Sequence, residues 1–89
     1  MKVKFKKSFA RDLKKKANDR KLAEKVEQII RLVDKADDVH RIPNLKKLKS
    51  PGSFYRIRSG DYRIGMIIDD GTVTFVRILH RSDIYRYFP

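Results

Sequence analysis

The stretch Ser53-Phe54-Tyr55-Arg56-Ile57-Arg58-Ser59-Gly60-Asp61-Tyr62-Arg63-Ile64 decides the fold of this 89-residue chain. Two β-favouring runs flank Ser59-Gly60, the pattern of two strands joined by a tight turn. A two-residue loop at Ser59-Gly60 pairs 58 with 61, 57 with 62 and 56 with 63, and directly paired residues share a sheet face. Arg56, Arg58 and Arg63 then stand together on one face, and Tyr55, Ile57, Tyr62 and Ile64 occupy the other. Three guanidinium groups on one face repel one another unless something anionic sits among them. A phosphate backbone meets that need.

Working outward, Asp70-Gly71 is a second hairpin signal, so strands are expected at about 53–58, 61–68 and 72–80. With Asp70-Gly71 as the loop, Tyr62, Ile64, Met66 and Ile68 share a face with Val73, Phe75 and Leu79. Arg77 falls on that apolar face, a misfit that a β-bulge in strand 72–80 would cure. The opposite face carries Arg56, Arg58, Arg63, Thr74 and His80, with His80 beside Asp61 and close to Arg58. Upstream, residues 2–6 read as a short strand, and Ser8 is placed to cap a helix over 9–16. Asn18 or Asp19 opens a longer helix to about Ala36, in which Leu22, Val26, Ile29, Ile30 and Val33 make a core-facing stripe.

Residues 39–52 read as a connector, interrupted by Pro43 and closed by Pro51-Gly52. Within it Leu45 and Leu48 pin the loop to the core, while Lys46, Lys47 and Lys49 face water and are candidate RNA contacts. The aromatic tail from Ser82 to Pro89 is expected to pack down, with Asp83 capping a final turn. The order is βααβββ. This is an α+β chain, read as one domain over 1–89, with two N-terminal helices on one face of a small antiparallel sheet.

With 23 Lys+Arg against 11 Asp+Glu, the net charge is +12, which favours polyanionic partners. An apolar fraction of 40% with five Phe and four Tyr supports one modest core despite 38% charged residues. The absence of cysteine excludes disulfides, thiol catalysis and thiolate metal sites. His40 and His80 stand far apart with no metal-ligand spacing, so neither a metal nor a cofactor is expected. No apolar run approaches the roughly 20 residues of a membrane span, and the first residues lack a signal-type segment. The expected location is the cytoplasm, with no membrane partner.

Antiparallel sheets often keep one wet face, and single arginines there are ordinary. The cluster, with one histidine and a neighbouring carboxylate, points instead to a polyanion site. Tyr85 reads either as a buried anchor or as a platform on which a base stacks.

Those residues together make the chain resemble the RelE/ParE superfamily of bacterial type II toxins, nearest the RelE-like branch. The resemblance covers nearly the whole chain. It rests on the N-terminal strand, the two helices, Leu45-Lys-Lys-Leu48, Tyr55-Arg-Ile-Arg58, Gly60-Asp-Tyr-Arg-Ile64 and His80-Arg-Ser-Asp-Ile-Tyr85. It implies a ribosome-dependent endoribonuclease that cuts mRNA and is neutralised by a cognate antitoxin. Phosphate-clamping and catalytic roles would fall on Arg56, Arg58, Arg63 and Arg81, with His80 as a further candidate, and base stacking on Tyr85. The implied chemistry is attack of the ribose 2′-hydroxyl on the adjacent phosphate, leaving a 2′,3′-cyclic phosphate and a 5′-hydroxyl, with no metal required. Some relatives carry lysines where this chain has Arg56 and Arg58, and an arginine cannot act as the base. The base would then be His80 or Asp61, unless the 2′ proton leaves without a strong side-chain base; His80 as base or proton shuttle is the expectation. Two other readings stay open, a ParE-like inhibitor of DNA gyrase and a non-catalytic basic nucleic-acid-binding module.

Overall fold

Positive backbone dihedrals at the two hairpin tips set the sheet. In the computed structural model, which describes residues 1–89, Gly60 has φ +58° and Asp70-Gly71 have φ +49° and +74°. Glycine reaches this region without steric cost, and two positive φ values in succession make the turn whose twist matches the flanking strands. Strand β3 (Phe54–Ser59) returns through Gly60-Asp61 into β4 (Tyr62–Asp69), which returns through Asp70-Gly71 into β5 (Thr72–His80).

The first hairpin turns one residue later than its sequence suggests. Ser59 pairs with Tyr62, Arg58 with Arg63 and Arg56 with Gly65, because Gly60 opens the loop instead of closing it. Partner numbers shift by two along β4, and a shift of two leaves every side chain on its expected face. Arg58, rather than Arg56, therefore stands directly across from Arg63.

The second hairpin begins in the expected register, with Asp69 opposite Thr72 and Met66 opposite Phe75. A bulge then takes up Val76, and beyond it Gly65 pairs with Arg77, Ile64 with Ile78, Arg63 with Leu79 and Tyr62 with His80. An extra residue in one strand reverses the facing of everything after it. Arg77 and Leu79 thus lie on the arginine face, and Ile78 and His80 on the helical face. The expected sides of Leu79 and His80 are both exchanged.

Two further strands complete a five-stranded sheet of order β1-β5-β4-β3-β2. Strand β1 (Lys2–Phe5) runs parallel to β5, so the sheet is mixed rather than wholly antiparallel. Strand β2 (Leu45–Lys47) lies inside the expected connector and pairs antiparallel with β3, after a 3-10 turn at Val39–Arg41. The α+β architecture with both N-terminal helices on one face holds.

Helix α1 (Lys7–Lys15) and helix α2 (Arg20–Lys35) cover the face carrying Ile57, Ile64, Met66, Ile68, Val73, Phe75 and Ile78. Leu22, Val26 and Val33 supply the buried stripe of α2, and Ile29 and Ile30 line its flank. The Asp19 carboxylate caps α2 by accepting from Leu22 N at 3.0 Å. Phe9 of α1 meets Phe75 edge-on, with ring centroids 5.3 Å apart.

Past Phe75, β5 has no strand neighbour on its β1 side, and α1 takes that place. Ser8 does not cap its helix; its hydroxyl donates to Val76 O, and Asp12 Oδ2 accepts from Ile78 N at 3.0 Å. Those edge groups would otherwise lack a partner. Asp12 is 5% exposed and also holds Arg77, Oδ2 to Nε at 2.7 Å and Oδ1 to Nη2 at 3.0 Å. That hydrogen bond is the main cause of a raised pKa at Arg77; burial opposes it, and the nearby charges of Asp12 and Tyr87 add to it.

The tail packs down on the other face. Helix α3 (Ile84–Tyr87) follows the turn at Arg81–Asp83, and Asp83 makes no side-chain cap bond. Ile84 and Phe88 are buried apart from the main core. The Phe88 ring lies on Gly65, where a Cβ would come within 2.7 Å of it, and meets Phe54 edge-on at 5.6 Å. Gly65 is the recess that lets the tail reach the sheet.

Candidate nucleic-acid interface

The register gathers cations from three strands. Arg56 and Arg58 alternate along β3, Arg63 stands opposite Arg58 on β4, and Lys46 stands opposite Arg56 on β2. Four cations thus share one patch of one sheet face. Like charges placed directly across strands destabilise a sheet by up to about 1 kcal/mol per pair. The chain's ion pairs are Arg31 with Glu27, Arg77 with Asp12 and Arg81 with Asp61, so no carboxylate neutralises the patch.

Each guanidinium is held differently. Arg56 is half-buried, its Nη1 donating to Asn44 O at 3.3 Å while its Nε is sealed without a partner. The bond depends on the connector: Asn44 adopts φ +61°, which turns its carbonyl toward β3, where it also accepts from Arg58 N. Arg63 curls over the hairpin tip, with Nη1 donating to Gly60 O at 2.8 Å and Tyr62 O at 2.9 Å. A guanidinium carries five N–H donors, so both residues keep donors for a ligand. Arg58 is exposed and makes no side-chain bond within the chain. Two anchored forks and one free one suit a ligand with several anionic oxygens.

The other expected residues fall into three places. Arg81 is exposed beyond β5, with Nε 3.8 Å from Asp61 Oδ1, and its backbone N–H donates to Asp61 O at 2.7 Å. An ion pair this exposed contributes about 0–1 kcal/mol, so Asp61 holds Arg81 only weakly. Tyr85 projects from α3 with 60% of its surface in solvent, as a stacking platform requires and a buried anchor does not. His80 is set apart from the arginines by the bulge. It packs edge-on against Tyr62, centroids 5.8 Å apart, and its Nδ1 contacts Ser82 Oγ at 2.8 Å. It still stands at the β3–β4 tip end of the sheet, where the two faces meet at the rim. Of the connector lysines, Lys46 joins the patch, Lys47 points to the helical face, and Lys49 lies beyond β2.

Sequence reasoning did not pair Asp12 with Arg77. The signal was present: Arg77 was the misfit on an apolar face, and Asp12 is the lone acid of a helix otherwise rich in lysine.

A family model described as "ParE toxin of type II toxin-antitoxin system, parDE" matches residues 3–85. The chain belongs to the RelE/ParE superfamily of type II toxins. Toxin RelE3 of Methanocaldococcus jannaschii is 38% identical over 90 residues, an alignment spanning 100% of both chains. Among solved structures, the RelB-RelE antitoxin-toxin complex from Methanococcus jannaschii has a chain matching with TM-score 0.78 at 34% identity, covering 98% of this chain and 100% of that one. The RelBE2 complex from Mycobacterium tuberculosis gives 0.66 at 31% identity, covering 90% and 96%. The E. coli DinJ-YafQ complex gives 0.76 at 14% identity, covering 93% and 96%, a likeness of fold alone. The RelE names place this toxin in the RelE family and do not favour the gyrase reading. The solved relatives include toxin–antitoxin complexes. No helix is long and apolar enough to cross a membrane.

Proposed function

We propose that this RelE-family toxin is a metal-independent endoribonuclease that cuts mRNA on the ribosome, in the cytoplasm, by attack of the ribose 2′-hydroxyl on the adjacent phosphate. One observation carries the reading: Lys46, Arg56, Arg58 and Arg63 share a sheet face without a carboxylate among them. The transition state is a pentacoordinate phosphorane bearing extra negative charge. Cations already held in place stabilise it without having to reorganise. Arg56 and Arg63, anchored by backbone carbonyls, suit that task, while the free Arg58 and Lys46 suit capture of neighbouring phosphates. Arg81, once it releases Asp61, adds a further cation at the rim, and Tyr85 offers its ring to an unstacked base.

The partner under this reading is a cognate antitoxin with an acidic or amphipathic segment that orders on binding and covers the arginine face. An open cleft of about 400 Å³ supports it, lined by Lys25, Ile29 and Leu32 of α2 and by Ile57 and Arg58 of β3. A complex that left Arg56, Arg58 and Arg63 open to solvent would contradict this part.

The test is to express the chain alone and map mRNA 5′ ends against an Arg63→Ala control. The expected result is cuts within codons that vanish in the variant. Growth arrest with intact mRNA and gyrase-dependent DNA breaks would replace this reading with gyrase poisoning. Tight RNA binding with neither cleavage nor arrest would leave a binding module.

A further inference from the structure

Helix α1 turns one narrow face toward the edge of β5. Ser8, Arg11, Asp12 and Lys15 lie three or four residues apart along that face, and with Arg77 they line an open hollow of about 130 Å³. The volume suits one phosphate group. Ser8 donates its hydroxyl proton to Val76 O, so the free donors of the hollow belong to Arg11, Lys15 and Arg77. Arg11 and Lys15 are exposed, and neither enters an ion pair. Taken singly, such helix cations are ordinary solvated groups. The guanidinium beside them is not.

A guanidinium offers two forks, Nε with Nη2 along its side and Nη1 with Nη2 at its end. The buried Asp12 carboxylate occupies the side fork, at 2.7 Å to Nε and 3.0 Å to Nη2. Asp12 Oδ2 also accepts from Ile78 N at 3.0 Å, which fixes the carboxylate to the sheet. Tyr87 lies against the guanidinium, its ring centroid 5.7 Å from Cζ. The end fork makes no bond within the chain, and 25% of the Arg77 side chain reaches solvent. An arginine already held in one direction loses little freedom when a bidentate anion docks. Asp12 offsets only one of the three cations, so the hollow stays positive.

We propose that Arg77, Arg11 and Lys15 form a second phosphate site, which takes a backbone phosphodiester of RNA away from the linkage that is cut. The proposal rests on the endoribonuclease reading for its RNA, and it extends the path of that RNA. Lys46, Arg56, Gly65 and Arg77 stand in one row across β2, β3, β4 and β5, so a strand on the arginine face leaves past Arg77 and over the β5 edge onto α1. The phosphodiester belongs to the mRNA or to ribosomal RNA beside it, and both present the same two free oxygens. No bond is made or broken here, so the site acts on capture.

The binding test needs no cleavage. It uses ribosomes programmed with mRNA carrying 2′-deoxy residues in the exposed codon, which 2′-hydroxyl attack cannot cut. Arg11→Ala with Lys15→Ala should weaken binding about 10-fold, the worth of one charge-assisted hydrogen bond. Lys7→Ala with Lys14→Ala removes the same charge from the same helix outside the hollow, and should weaken it by no more than about 2-fold. Equal losses in the two pairs would mean that net charge alone acts, and would overturn the site. Arg77→Lys keeps a cation against Asp12 but has no second fork; it should lower affinity about 10-fold and shrink the further cost of the Arg11 and Lys15 changes. Full additivity overturns the shared site. Should Arg77→Lys not fold, the exposed Arg11 and Lys15 pair still decides. A loss that persists on vacant ribosomes assigns the phosphate to ribosomal RNA, and one that persists on free mRNA assigns it to the message. No loss on any of the three overturns the proposal. With cleavable mRNA, the Arg11 and Lys15 pair should raise KM about 10-fold at unchanged kcat; a fall in kcat alone places these residues at the cut linkage and overturns the proposal. Wild-type protein that binds programmed ribosomes but leaves mRNA intact removes the nuclease reading, while the binding comparison still decides the phosphate site. Wild-type protein that binds none of these RNAs overturns both.

Discussion

Replacing Gly65 by alanine tests how the tail is held. An added Cβ would lie 2.7 Å from Cγ and Cδ2 of Phe88 and 2.8 Å from Cε2, against an ordinary contact of about 3.5–4.0 Å. The ring must therefore move by close to 1 Å. It cannot slide freely, since it is 2% exposed and is met on another side by Phe54 at 5.6 Å. Overpacking of this kind costs about 1–3 kcal/mol, and ejecting the ring forfeits a similar amount, about 1.5–3 kcal/mol of burial. Alanine also restricts the unfolded chain more than glycine does, which returns about 0.4–1 kcal/mol. The net loss for Gly65→Ala is about 1–2 kcal/mol, or a fall in Tm of roughly 4–16 °C for a domain of this size. Urea unfolding followed by tyrosine fluorescence measures it. The decisive comparison is with Phe88→Ala, itself destabilising by up to about 3–5 kcal/mol. On that background the alanine at 65 should cost nothing and should stabilise slightly. Equal costs of Gly65→Ala in both backgrounds would refute the packing argument.

Asp12→Ala should destabilise by about 2–4 kcal/mol in urea titration, since Ile78 N and Arg77 lose their acceptor together, with the loss tempered by the partial exposure of Arg77. The raised pKa of Arg77 means that its share of stability is full below the usual arginine range and is lost only as pH climbs through and beyond that range, so stability curves should show no step from Arg77 across the neutral and mildly alkaline range. Tyr85→Ala should weaken RNA binding by about 1–3 kcal/mol while Tyr85→Phe binds normally, and neither should change stability by more than about 0.5 kcal/mol, because the ring is exposed. Lys46→Ala and Arg58→Ala should each flatten the salt dependence of RNA binding by about 0.7 in log–log slope, and a slope identical to wild type would remove that residue from the phosphate path.

Both hairpins, the stripe of α2 and the arginine face were legible because alternation and helical periodicity depend on side-chain pattern alone. The register was not. A two-residue loop at 59–60 and one at 60–61 give the same alternation, and only the backbone at Gly60 separates them. Arg77 announced a bulge, but its full consequence, moving Leu79 to the arginine side and His80 away from it, needed the position of Val76. Strand β2 spans three residues, too short for period two to emerge. Lys46 joined the site through that strand, so its place was hidden with it. Gly65 was open to reading as a close approach within a strand, yet nothing local shows that Phe88 is what approaches.

The contact of α1 with β5 also bears on solubility. A strand with bare amides and carbonyls is where another molecule can add its own strand, and this risk grows as copies accumulate. Ser8 and Asp12 occupy Val76 O and Ile78 N, and the bulge beside them bends the strand away from ideal pairing. Intermolecular sheet growth is left with β1 and β2, whose Lys2, Lys4, Lys46 and Lys47 repel a second copy. A chain of this charge gains colloidal protection from the same helix that completes its core.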